Sequence, residues 1–422
     1  MSSQPALARR LGTADAVLIG MGSMMGAGMF AVWAPAARAA GAGLLIGLVI
    51  AAAVAYANAT SSAQLAAVYP TSGGTYAYGR ERLGPWWGFA AGWSFVIGKT
   101  ASCAAMALTV AAYAVGGPLW RHRLVAVAVV LALAALNYRG ITRTALLTRV
   151  LVTGTAIVLA VVVVASLTAP DVVHAMPNPW APNSTGTSVT GVLQSGGLLF
   201  FAFAGYARIA TMGEEVREPR RTIPRAITLA LAATVVVYAV IAVTALMVAG
   251  APALAASSSP LTTVLEAAGR PALTPLVRLG AGLAASGALL ALIAGIGRTS
   301  LAMAREGDLP AWCAAVHPRF RVPHHAEIVL AVVVCALVLT VDLRGAIGFS
   351  SFGVLLYYAI ANASAFTQPD ADRRWPRALQ LAGLAGCLVL AFSLPIGSVL
   401  AGIVVVGVGL VGRLVALVRR RR

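Results

Sequence analysis

GMGSMMGAGMF, residues 20–30, sets Gly20, Gly22, Gly26 and Gly28 inside an apolar stretch otherwise long enough to cross a bilayer. Glycine costs about 1 kcal/mol relative to alanine in a helix interior, so this run predicts a weakened, interrupted helix. In lipid, backbone that leaves the helix must be buried in protein or face a water-filled cavity. An interrupted membrane helix therefore marks a ligand site built from main chain.

The rest of the chain supports a membrane setting. Its 422 residues are 59% hydrophobic and 10% charged, with a mean hydropathy of +0.86, whereas a soluble domain carries roughly a quarter charged residues. Apolar runs of spanning length recur from end to end, which predicts an all-α polytopic membrane protein. The opening MSSQPALARRLGTAD is short and polar, and the first apolar run exceeds a signal-peptide core without a cleavage site, so the N-terminus is expected to be retained. The net charge of +18 does not point to nucleic acid: Lys99 is the sole lysine, and most of the arginines sit in short loops with no basic stripe interleaved with aromatics. Cys103, Cys313, Cys335 and Cys387 are isolated, and His324-His325 has no third ligand at metal spacing, so neither a metal nor a disulfide framework is expected.

Twelve spans follow from the apolar runs, at 14–38, 43–68, 86–115, 122–138, 146–168, 190–213, 224–250, 275–303, 326–341, 346–367, 377–394 and 396–418. Alternate loops collect 21 arginines on one side and six on the other. The positive-inside rule then places both termini in the cytoplasm, at the cell membrane, and the proline-rich segment 169–189 outside. Trp86, Trp87 and Trp93 are expected to anchor span 3 at the interface. A second weakened span, GVLQSGGLLFFAFAGYARIATMG (191–213), contains Gly196, Gly197, Gly205 and an internal Arg208. Taking spans 1 and 6 as counterparts gives two five-span halves of opposite topology, and paired interruptions point to a midplane binding site. The chain then divides into residues 1–168 (first repeat), 169–367 (external loop and second repeat) and 368–422 (two accessory helices and a basic tail).

Three stretches carry a resemblance: GSMMGAGMF (22–30), YPTSGGTYAYGRERLGPWWGFAAGW (69–93) and FFAFAGYARIATMGEEVREPRRTIPRAI (200–227). They resemble the first helix, the loop between helices 2 and 3, and the sixth helix with its following loop in the amino acid–polyamine–organocation (APC) superfamily. The resemblance implies a leucine-transporter-like 5+5 inverted repeat of about twelve transmembrane helices, and secondary transport of an amino acid or related amine. By the family's pattern, N–H groups around Gly26, Ala27 and Gly28 hold the substrate carboxylate. Carbonyls of Met24, Phe201 and Ala204 hold its ammonium, and Gly205 gives the chain room to break. The chemistry agrees, since helix N-termini supply donors and unwound carbonyls supply acceptors. Taken alone, Gly22-x-x-x-Gly26 is equally a packing motif; the matched interruption in span 6 favours binding. A phosphate-loop reading fails, because no strand precedes these glycines and no phosphate-loop lysine follows.

Lys99 lies mid-span, roughly ten or more apolar residues from either end, so it must face a cavity or a partner rather than snorkel. It is a candidate selectivity or proton-coupling residue; the plainer alternative is donation to buried carbonyls. Arg208 is a candidate for repelling cations or for gating by pairing with Glu214 or Asp15, and is equally readable as a snorkelling arginine. It does not carry protons. Relatives that carry a helix-5 lysine in place of sodium align there with Thr155, which leaves proton or sodium coupling open. The charged loop with Glu214, Glu215 and Glu218 is a solvated loop by default, or an inner gate pairing with Arg80, Glu81 and Arg82. No cofactor is expected. The partners are a small-molecule amino acid and the lipid bilayer, with no nucleic acid. A polyamine or cationic amino acid antiporter would need a carboxylate at pocket depth, and an enzyme would need paired acids or a His/Cys cluster in the membrane; the sequence supplies neither. A sensor that binds without transporting would share the binding residues. The absence of a central acid, with Lys99 and Arg208 nearby, favours a neutral amino acid.

Overall fold

In the computed structural model, residues 11–69, 73–140, 145–169, 188–210, 212 and 216–421 are described. Glu214 and nearly all of the segment 169–189 lie outside them. The first apolar run forms three pieces, α1 (Thr13–Met24), α2 (Ala27–Ala31) and α3 (Trp33–Ala40). The first break falls at Met25–Gly26, among the glycines. The second, at Val32, follows from Pro35, which has no N–H to give the Ala31 carbonyl one turn back. Gly41, at φ +55°, then turns the chain into α4 (Leu44–Val68).

The chain continues through α5 (Gly74–Leu83), α6 (Pro85–Ala114), α7 (Leu119–Tyr138) and α8 (Ala145–Leu167). Next come α9 (Val189–Phe203), a one-turn α10 (Ala207–Ala210), α11 (Pro219–Val248), and two short helices, α12 (Gly250–Ala256) and α13 (Pro260–Ala267). The last five are α14 (Thr274–Arg305), α15 (His324–Thr340), α16 (Leu343–Phe366), α17 (Arg377–Ser393) and α18 (Ile396–Arg421). No strand occurs among the described residues; an isolated bridge joins Leu11 to Val216. Nine helical stretches among them are long and apolar enough to cross a membrane, and α9, α15 and α17 are shorter apolar helices of 15, 17 and 17 residues. For α9 the shortness has a local cause, because the chain breaks at Ala204–Tyr206 before α10 resumes.

Small residues decide which helices form the centre. The most apolar windows of α6 and α16 are each 83% buried within the protein, against 11% for α7. Gly98 of α6 meets Gly353 of α16, where a methyl on either would come within 3.2 Å of the other's backbone. Beside them the Ser102 and Ser350 hydroxyls hydrogen-bond at 2.6 Å. Without a hydrophobic drive between helices in lipid, such close backbone approach and hydroxyl pairing hold the bundle together.

Three expectations need correction. Helix α11 begins at Pro219 rather than 224, because Pro219 suits a first turn and Pro224 is accommodated inside the helix. Helices α12 and α13 occupy a connection read as loop, and α13 is held from within the bundle: Leu261 N donates to the Tyr113 hydroxyl (3.2 Å), which donates to the Phe30 carbonyl (2.9 Å). Trp86 and Trp87 are exposed, but Trp93 is half-buried and donates its indole N–H to the Val405 carbonyl of α18 at 2.9 Å. It is a helix-packing residue, not an interface anchor.

Candidate functional site

The two interruptions pack main chain against main chain. A methyl on Gly205 would stand 2.4 Å from the Ser23 carbonyl and 2.6 Å from Met24 N; one on Gly28 would stand 2.7 Å from Ala202 Cα. Gly20 instead faces the Ile209 side chain, whose Cδ1 an added methyl would meet at 2.3 Å. The pairing order 20 with 209, 24 with 205 and 28 with 202 makes the broken helices antiparallel. Glycine is required because any side chain at Gly205 would fill the space that the partner's backbone occupies.

Each break leaves helix-end carbonyls without intrahelical partners. At the end of α1, the Tyr238 hydroxyl of α11 reaches the Met24 carbonyl at 2.7 Å and also lies 3.0 Å from the Ala202 carbonyl. At the end of α9, the Ala204 carbonyl accepts from Lys99 Nζ at 3.2 Å and from the Tyr358 hydroxyl at 3.3 Å. Tyr358 also stacks on Tyr206, with ring centroids 4.9 Å apart. Lys99 is 93% buried, and no carboxylate among the described residues pairs with it. Its hydrogen bond to Ala204 is the plainer alternative drawn from the sequence, donation to a buried carbonyl. That carbonyl is one of the three named as ammonium acceptors.

The structure thus gathers Met24, Gly28, Ala204, Gly205 and Lys99 at one crossing. Ala27 and Phe201 are buried there, and Gly26 faces Ala288 of α14, whose Cβ a methyl at Gly26 would meet at 2.7 Å. Of the gating and coupling candidates, Lys99 belongs to this group, Arg208 adjoins it, and Asp15 and Thr155 make other contacts. Arg208 lies on α10, its N–H bonded to the Gly205 carbonyl at 3.1 Å. Asp15 pairs with Arg149 of α8, so it ties α1 to α8. The Thr155 hydroxyl donates to Leu151 of its own helix at 2.8 Å. Glu214 lies outside the described residues.

A second polar cluster was not foreseen. Asp308, just past α14, is contacted by Arg413 of α18 (3.0 Å), Arg80 of α5 (3.0 Å) and the Tyr76 hydroxyl (2.9 Å). The Arg413 guanidinium also lies over Trp86 and Phe89, 5.0 and 4.8 Å from their ring centres. Burial first, and then the Asp308 carboxylate, hold the Tyr76 phenol far above its ordinary pKa, which keeps it a donor. Arg80, expected to meet the acidic loop after span 6, pairs instead with Asp308 and Glu306. The available signal was Arg413 itself: an arginine inside an apolar helix needs a partner. For Tyr238 and Tyr358 it was a phenol in an apolar span, whose hydroxyl must find an acceptor when buried.

Comparison with known proteins places these features in a family context. A family model described as amino acid permease matches residues 11–415. An uncharacterized transporter of Mycobacterium tuberculosis is 59% identical over 403 residues, covering 96% of this chain and 90% of the relative. The branched-chain amino acid permease of Bacillus subtilis is 28% identical, covering 93% of this chain and 90% of the relative. The methylthioribose transporter of the same organism is 27% identical, covering 87% and 80%.

Proposed function

Because the chain belongs to the amino acid permease family, we propose that it is a secondary transporter, not an enzyme, that carries amino acids across the cell membrane. The substrate binds between the broken ends of α1 and α9, and alternating access exposes the site to each side in turn. Its ammonium lies against the carbonyls of Met24, Phe201 and Ala204, and its carboxylate against the N–H groups of Gly26, Ala27 and Gly28. The chain forms twelve spans, the first ten in two inverted halves of five, with both termini cytoplasmic. Protons or sodium drive transport, and Lys99, Arg208, Asp15, Thr155 and Glu214 are the residues to test for coupling and gating.

One observation carries this reading: two helices, interrupted at corresponding places, cross backbone on backbone where helix-end carbonyls converge. A packing motif alone explains close glycines but not two broken helices. A neutral amino acid is the preferred cargo, because the one buried cation at the crossing, Lys99, pairs with no carboxylate among the described residues. Counterflow in proteoliposomes against a panel of amino acids, at two pH values with and without sodium, tests it. Alanine or leucine should exchange. Stronger competition by arginine or putrescine would reverse the preference, and no exchange with any amino acid would end the proposal.

A further inference from the structure

Lys99 stands where a substrate's ammonium would stand. A carbonyl oxygen has two lone pairs, and at Ala204 both are engaged, by Lys99 Nζ at 3.2 Å and Tyr358 at 3.3 Å. The single Tyr238 O–H is shared between the nearby Met24 and Ala202 carbonyls, so the Ala204 carbonyl is the acceptor that is fully occupied. An arriving α-ammonium therefore meets a position already held by another ammonium. The charge balance is equally direct. Lys99 with a zwitterion leaves one net positive charge buried at the crossing, whereas Lys99 with a plain carboxylate leaves none, and uncompensated charge in this setting is costly.

We propose that Lys99 and a substrate's α-ammonium compete for the Ala204 carbonyl. With Lys99 in place the pocket takes carboxylates that lack an ammonium, 2-hydroxy and 2-oxo acids, and it takes an amino acid only by moving Lys99 aside. Lys99 thereby supplies the cationic half of a zwitterion that the substrate itself need not carry. This inference rests on the location of the site given under Proposed function, and it extends the substrate class there to carboxylates without an ammonium.

The test uses the full chain in nanodiscs and matched pairs of probes: L-alanine with L-lactate, L-valine with 2-hydroxyisovalerate, and L-leucine with 2-hydroxyisocaproate. In the wild type, at least one hydroxy acid should bind as tightly as its amino acid or more so. Lys99→Met should tighten the amino acid and weaken the hydroxy acid, shifting the ratio of their Kd values by about tenfold or more, since each tenfold corresponds to about 1.4 kcal/mol. Lys99→Arg, which keeps the charge, should keep the wild-type bias. A wild type that binds every amino acid far better than its hydroxy acid overturns the proposal without any variant, as does a ratio unmoved in a monodisperse Lys99→Met protein. Amino acid binding with either of those results leaves the transport reading standing. Binding of no probe by wild type or variant sinks both.

Discussion

Two buried cations in this molecule are handled in opposite ways. Arg413 is enclosed by a carboxylate and two ring faces, and its Asp308 partner is itself shared with Arg80 and Tyr76. Lys99 reaches a main-chain carbonyl, beside a tyrosine hydroxyl, at the point where two helices are broken. The first arrangement answers the charge with a carboxylate and ties α5, α14 and α18 together, although Arg413 Nε itself has no hydrogen-bond partner among the described residues. The second has a charge that, among the described residues, is met by dipoles and no carboxylate, and it sits where a ligand is expected. A charge satisfied internally marks structure; a charge left to dipoles marks a place for something else.

The contrast is sharpest in stability. Asp308→Ala leaves Arg413 buried and unanswered, so it should cost about 3–5 kcal/mol, read as a lowered melting temperature or lost monodispersity in detergent. A wild-type melt would dissolve the distinction between the two cations. Gly205→Ala should come next, because its methyl has the Ser23 carbonyl 2.4 Å away. Overpacking of this kind costs about 1–3 kcal/mol, and counterflow should fall sharply. Gly154→Ala, with nothing within 4 Å of the added methyl, is the control and should behave as wild type. Tyr238→Phe removes a donor that serves the Met24 and Ala202 carbonyls and should cost about 1–2 kcal/mol. Lys99→Met should show no stability loss, because it removes a buried charge that no carboxylate among the described residues answers. A drop as large as that of Asp308→Ala would place Lys99 with the structural cations.

What the sequence disclosed divides along the same line. Length, hydropathy and glycine placement are local properties, so the helical class and the break near Met24–Gly26 were readable directly; in the sixth span Gly205 marks the break, but Gly196 and Gly197, expected to interrupt it as well, lie inside the unbroken α9. Lys99 stood out because a lone lysine amid apolar residues is conspicuous at any resolution of reading. The partners of buried groups depend on three-dimensional proximity, which no local pattern carries. Asp308 reads as an ordinary loop acid until Arg413, more than a hundred residues later, is seen to lie against it. The tyrosines that occupy the broken helix ends come from α11 and α16, far along the chain from the carbonyls they serve. Helices α12 and α13 are only 7 and 8 residues long, too short for a periodic signal to separate them from loop.

The most direct measurement is an experimental structure of the full chain bound to an amino acid, or to its hydroxy acid, that exchanges in counterflow. Ligand density should lie within hydrogen-bond reach of the main chain at Met24–Gly28 and Phe201–Gly205, beside Lys99. Density elsewhere in the bundle, with those two segments untouched, would contradict the claim that the crossing of the broken helices is the binding site.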